Sequence, residues 1–373
     1  MKIIPLRLIC IILLTAFCIS SEAQSYKGNE FFYTASIDMN FDNREYDASG
    51  KIASETLFGA RFSPEIGLRH KSGSSISSIA AGLDIRKDFG DADRSLGALL
   101  EDVKIYGSHY RGIGGTAFCI TGGVFSRDMM KEEWTEVFFS EKYLWLHPNI
   151  SGLLISDNWF KGNFELACDW IGEFGSSYST REQFLVMSAA HHDFNPLLTL
   201  GYNAYMMHFA CSQETDGVVD NLLAEPWAKI RLLTAPVGLW KELSIKAGAI
   251  LSAQRDRNLG SGFTKAALGE FTVKARVGSL SLVNRYFLGQ SIMSLYNSTD
   301  SSGYLYADRL YFNDPLFIMD GFENRSFGSH DSAEIRWEPR LGGKASLEVS
   351  ARFHFHNNRY SGCQQIVRLI VTL

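Results

Sequence analysis

The chain has 373 residues, with 36 Lys and Arg against 41 Asp and Glu and a formal net charge of −5. That balance offers no basic footprint for nucleic acid, while 33 Gly, 13% aromatic residues and only 8 Pro point to a strand-rich chain. A mean hydropathy of −0.06 would also suit a water-soluble globule, so the pattern along the chain has to decide.

The first two dozen residues read as a targeting segment. Lys2 and Arg7 give a positive start, Leu8 to Ile19 is apolar except for Thr15, and Ser21-Glu22-Ala23 offers small residues at a cut site. This order predicts a secretory signal peptide over 1–23, cleaved after Ala23, and a single mature domain over 24–373. The apolar run is short for a spanning helix, and Phe17 before Cys18 does not suit a lipoprotein cut. No second long apolar segment follows. Cys119, Cys168, Cys211 and Cys363 stand singly, without metal or disulfide spacing, so neither a metal nor a cofactor is expected.

From there the chain alternates with period two. Tyr33, Ala35, Ile37, Met39 and Phe41 face one way, and Thr34, Ser36, Asp38, Asn40 and Asp42 the other. Next, Phe58, Ala60, Phe62, Ile66 and Leu68 oppose Arg61, Ser63, Glu65 and Arg69. Ile79, Ala81, Leu83 and Ile85 then oppose Asp84, Arg86 and Asp88. The pattern returns at Phe164–Trp170, at Leu243–Ser252, at Leu347–His356 and at Val367–Leu373. Near Phe118 and Arg285 either face could be the outer one. A soluble sandwich also alternates, with its apolar face inside; here the polar set is charged in strand after strand.

Connections alternate in length. Short turns carrying Gly, Pro or Asn fit 70–74, 111–114, 160–163, 192–196, 235–238, 276–279 and 339–343. Longer connections are expected over 45–54, 89–98, 126–149, 174–181, 212–220, 256–262, 294–329 and 357–362. Short on one side and long on the other is the pattern of an outer-membrane barrel. The predicted fold is all-β: a transmembrane antiparallel β-barrel of about 16 strands (roughly 14–18), with both termini periplasmic. Closure follows from the solvent, because a strand in lipid must pair every backbone group.

The segments FDNREY (Phe41 to Tyr46), FGARFSPEIGL (Phe58 to Leu68), PNISGLL (Pro148 to Leu154) and GVVDN (Gly217 to Asn221) resemble a little-characterised, porin-like family of Bacteroidota outer-membrane β-barrel proteins. The resemblance runs over most of the mature chain. It implies location and architecture, and carries over no catalytic or binding residue. One departure is the end: such barrels usually finish in an aromatic residue, and this chain finishes in Leu373 with its alternation intact.

The expected function is a channel for small hydrophilic solutes. Arg61, Glu65, Arg69, Asp84, Arg86 and Arg352 are the candidate lumen and selectivity residues, set as opposed charges across a water-filled barrel. The bland alternative is that such residues pair with one another along the wall. Asp128, Glu132, Glu133, Glu136 and Glu141 in the third long connection form a candidate constriction loop, the rival being a loop that projects outward. The longest connection, 294–329, could instead form a plug. A structural or adhesion barrel with a filled lumen is the runner-up reading. A membrane hydrolase built on His354, His356, Asn357 and Ser361 is weaker, since nothing marks Ser361 as a held nucleophile. The expected partners are outer-membrane lipids and lipopolysaccharide, small hydrophilic solutes and the barrel-insertion machinery. Nucleic acid is not expected, and a homo-oligomer is left open.

Overall fold

A computed structural model describes residues 28–47, 52–90, 99–175, 180–260, 262–319 and 327–373; the signal peptide expected over 1–23 lies outside the described residues. The alternating segments form β1 (Asn29–Tyr46), β2 (Glu55–Ser72), β3 (Ser75–Asp88), β4 (Leu100–Ile113), β5 (Thr116–Ser126) and β6 (Asn149–Trp159). They continue as β7 (Gly162–Gly172), β8 (Gln183–Asp193), β9 (Leu198–Phe209), β10 (Val219–Arg231) and β11 (Trp240–Asp256). The last five are β12 (Thr264–Val277), β13 (Leu280–Gly289), β14 (Gly328–Trp337), β15 (Ala345–His356) and β16 (Arg359–Thr372). Each pairs antiparallel with its sequence neighbours, and β1 pairs with β16, closing a 16-strand barrel. At the closing seam Met39 lies opposite Leu369, and the Arg368 guanidinium meets Asp38 at 2.6 Å.

Closure divides every strand into an outer and an inner face. On β1, Tyr33, Ile37 and Met39 are exposed outside, whereas Asp38, Asn40, Asp42 and Arg44 are buried inside. The strands whose faces the sequence left open follow the same rule: Phe118 is exposed outside, and Arg285 points inward to Glu334 at 3.2 Å. Apolar side chains exposed on strand after strand suit hydrocarbon rather than water. Even the shortest strands, β13 and β14, have 10 residues, enough to cross a bilayer core when tilted. An aromatic girdle marks the loop end of this belt. Phe41, Phe58 and Phe89 pack edge to face, and Trp170, Phe184 and His208 stack further round.

The seven short turns gather at one end of the barrel, the end at which β1 starts and β16 finishes. The other end carries the long connections, with one correction. The stretch 357–362, expected as a long loop, is a two-residue hairpin: Asn357 and Asn358 connect β15 to β16 at φ 49° and 62°. Asparagine tolerates the left-handed region, so two in succession build the tight turn that matches strand twist. Asn358→Val should therefore destabilise the barrel by about 1–2 kcal/mol, read as a lower midpoint of urea unfolding in lipid vesicles. Asn358→Gly should be neutral.

Candidate functional site: a lumen crossed by two loops

The connection after β5 does not project outward. Ser126 caps a short 3₁₀ turn, Arg127–Met129, by accepting from the Asp128 amide. The chain then dives into the barrel, where the Lys131 and Glu132 amides donate to the Glu165 carboxylate at 2.5 and 3.1 Å. Glu132 reaches almost to the turn end: its Oε1 accepts from Asn163 at 2.8 Å and lies 2.8 Å from His191 Nδ1. Asn203 on β9 donates to the Glu133 carbonyl. The chain next crosses the lumen, and Glu136 and Glu141 meet Arg352 on β15 at 3.2 and 3.3 Å. β7 and β15 stand eight places apart in a ring of 16, so the loop spans the full diameter.

A short helix, Glu141–Leu146, brings the loop back to the wall, with Ser140 accepting from the Tyr143 amide at its start. Lys142 pairs with Glu55 at 2.8 Å, and Arg61 donates to the Trp145 carbonyl. Arg127 anchors the loop's root: it pairs with Asp169 at 2.7 Å and lies beneath the rings of Phe139 and Tyr143. Burial pushes the Glu136 carboxyl above the ordinary carboxylate range, against the pull of Arg352 and Arg285. Glu141 ends below that range, because Arg352, Arg368 and Arg336 together outweigh its burial.

The connection between β13 and β14 also turns inward. Asn221 donates to the Leu310 carbonyl, and the Tyr311 hydroxyl to Gln254 at 2.7 Å. The Tyr306 hydroxyl donates to Asp256 at 2.5 Å, and Asp314 pairs with Arg44 at 3.1 Å. Burial raises the Asp314 carboxyl above its usual range despite Arg44. The two loops meet where the Ser140 amide donates to the Phe312 carbonyl and Phe312 packs on Phe139, Tyr143 and Tyr205. Val137, Phe138, Ile292, Met293, Leu310, Leu316 and Phe317 complete an apolar core against wall residues such as Phe125, Phe209 and Phe287. Each fully buried side chain of this size favours docking by roughly 1.5–3 kcal/mol, so the loop end of the lumen is packed rather than loosely covered.

Toward the turn end a cavity of about 310 Å³ remains between the first loop and the opposite wall. Trp134, Glu136 and Glu141 line one side, and Trp227, Lys246, Arg285, Arg336 and Arg352 the other. Carboxylates bridge these cations. Lys246 lies between Glu225 at 2.6 Å and Glu270 at 3.0 Å. Arg285, Arg336 and Arg352 converge on Glu334 at 3.2, 2.7 and 3.3 Å. Lys229 and Lys274 share Glu242.

The residues singled out from sequence therefore separate into groups. Arg352 meets the loop's carboxylates. Arg61 pairs with Asp84 at 2.6 Å and holds a loop carbonyl, while Arg86 pairs with Asp88 and Glu101. Glu65 holds Lys104 and accepts from the Tyr106 hydroxyl. Arg69 sits near the turn end over Phe32, 3.8 Å from Glu30 and away from the loop. Asp128 is exposed within the 3₁₀ turn. Lys229, Lys274 and Arg276 also line the cavity; they are not among the sequence candidates, and Arg276 falls in the stretch assigned to the 276–279 turn. Of the weaker hydrolase set, Ser361 belongs to β16, and its buried hydroxyl has no hydrogen-bond partner.

No protein-family model matches the chain, and no curated protein resembles it at a significant level. Solved structures do. A loop L8 deletion mutant of OmpT, an outer membrane protein of Vibrio cholerae, matches 93% of this chain and 100% of its own at a TM-score of 0.50 and 9% identity. Pseudomonas aeruginosa OpdO matches with a TM-score of 0.48 and 10% identity, over 92% of this chain and 97% of that one. A Rh. blastica porin mutant matches 92% of this chain and 100% of its own at 0.44 and 10% identity. At such identities the likeness is one of fold.

Proposed function

We propose that the protein is a porin-like channel of a bacterial outer membrane, passing small hydrophilic solutes through a narrow lumen. The observation that carries this reading is the charge-lined cavity held open between the transverse loop and the wall of β9–β15. Seven cations and five carboxylates line this space, and, paired as they are, their remaining hydrogen-bonding capacity is met most readily by water, which suits a hydrated path. Supporting features are the apolar outer belt, the aromatic girdle and the signal-peptide pattern of the first 23 residues. In this reading the short turns and both termini face the periplasm, the long loops face outside, and the segments shared with the Bacteroidota family reflect common descent.

Liposome swelling tests it. Vesicles containing the purified barrel should swell in a small neutral sugar and in a zwitterionic amino acid, and should exclude a large oligosaccharide. A tag inserted at Ser301 should label on intact cells, while one at Gly342 should label only after lysis. A filled-lumen barrel is the second reading, favoured by the apolar core packed into the loop end. It predicts no swelling in the wild type with any of these solutes.

A further inference from the structure

The outer wall of β8–β12 carries a feature that a channel does not need. Just below the loop end the lipid-facing surface dips into a groove of about 690 Å³. Its floor is low because Ala204, Ala224 and Ala267 present only methyl groups in one row across β9–β12, with Leu251 standing between the last two and Met206 beside Ala204. The pairing sets these residues side by side across strands: Ala204 opposite Ala224, and Leu251 opposite Ala267. In a bilayer such a depression takes hydrocarbon.

The groove has a charged head. Lys265 lines it directly, opposite Ala253. Arg255, two residues beyond Ala253 on the same outer face, pairs with Asp220 at 2.5 Å and lies under the Phe263 ring. Arg257 meets the other oxygen of Asp220 at 2.8 Å. One carboxylate thus orders two guanidiniums and leaves the cluster net positive. Asp220, Arg255 and Lys265 stand one residue inside the loop ends of β10, β11 and β12, and Arg257 one residue beyond β11, where the wall meets the water interface.

We infer that the groove and its cationic head form a site for one phosphorylated membrane lipid, an acyl chain lying along the groove and the phosphate against Lys265, Arg255 and Arg257. An acyl chain matches the apolar floor, and a phosphate matches forked donors better than a zwitterionic headgroup does. The inference rests on the reading above in one respect: with the loop end outward, the lipid is one of the outer leaflet, for which lipid A is the probe.

Native mass spectrometry of the detergent-purified barrel with lipid A tests it. One lipid A should remain bound per chain. Arg257→Gln with Lys265→Gln, which keeps the Arg255–Asp220 pair, should weaken binding roughly tenfold or more. Ala224→Phe, which fills the groove without altering charge, should do the same. Lipid A stripped of its phosphates should bind the wild type no better than intact lipid A binds the double variant. Heat-modifiable migration confirms that each variant is folded; should Ala224→Phe fail it, the double variant and the stripped lipid still decide. Equal binding by wild type and double variant overturns the site, as does equal binding of phosphatidylethanolamine. Dimer or trimer masses that persist with lipid A excluded also overturn it, because the groove would then be a contact between copies. Binding in detergent does not require conduction, so a barrel that holds lipid A and passes no solute would sink the channel and leave this site standing.

Discussion

Arginine in place of Phe271 should block assembly of the barrel, whereas arginine in place of the next residue, Thr272, should leave it assembled. Both sit on β12 opposite the middle of β13, the shortest stretch of wall, with Phe271 paired to Tyr286 and Thr272 to Arg285. Phe271 is exposed on the outer face, where hydrocarbon would surround the new cation at about 2–4 kcal/mol. Thr272 lines the inner cavity beside Glu270, from which an arginine can draw a counter-charge. The folded fraction, read by heat-modifiable migration from the outer-membrane pellet, should fall sharply for the first variant and little for the second. Equal loss in both would mean that the two faces of the wall do not meet different solvents.

The second large effect concerns the transverse loop. Deleting 130–142 removes the bridge from Glu165 to Arg352 and the side of the cavity formed by Trp134 and Glu136. Conductance should rise severalfold. Point changes should act through charge alone. Glu133→Gln with Glu141→Gln should move the reversal potential toward anions, and Lys229→Gln with Lys274→Gln toward cations, because nearby protein lowers the effective dielectric around each charge. Glu132 is a poor target for this purpose, since Asn163 and His191 hold its carboxylate. Glu136 is a poor target as well, since Arg352 holds its carboxylate at 3.2 Å. A deletion that leaves conductance unchanged would show that the loop does not bound the path.

The barrel itself was legible in the sequence because a period-two pattern names both faces of a strand at once. Leu347 to His356 reads as outer and inner residues without further help, and β15 is built that way. Turns were legible where Gly and Pro forced them. The Asn357-Asn358 hairpin was missed because polar residues flank it, which made it look like part of a longer loop. The inward course of the loops was less open to reading. Acidic residues such as Glu132 and Glu136 suit a surface loop equally well, and their partners Asn163 and Arg352 are fixed only by the closed barrel. A signal was nevertheless present: Val137-Phe138-Phe139 and Leu316-Phe317-Ile318-Met319 are apolar runs inside polar connections. Runs of that kind need a core to enter, and the lumen supplies it.

Whether the lumen is a path separates a channel from a filled barrel. Purified protein reconstituted in a planar bilayer should give discrete, uniform current steps, small for a 16-strand barrel because the two docked loops leave only the narrow charge-lined space. Those steps should enlarge in the 130–142 deletion. A folded wild type that inserts and passes no current, in protein whose deletion variant also stays silent, would contradict the account and leave a barrel with a filled lumen.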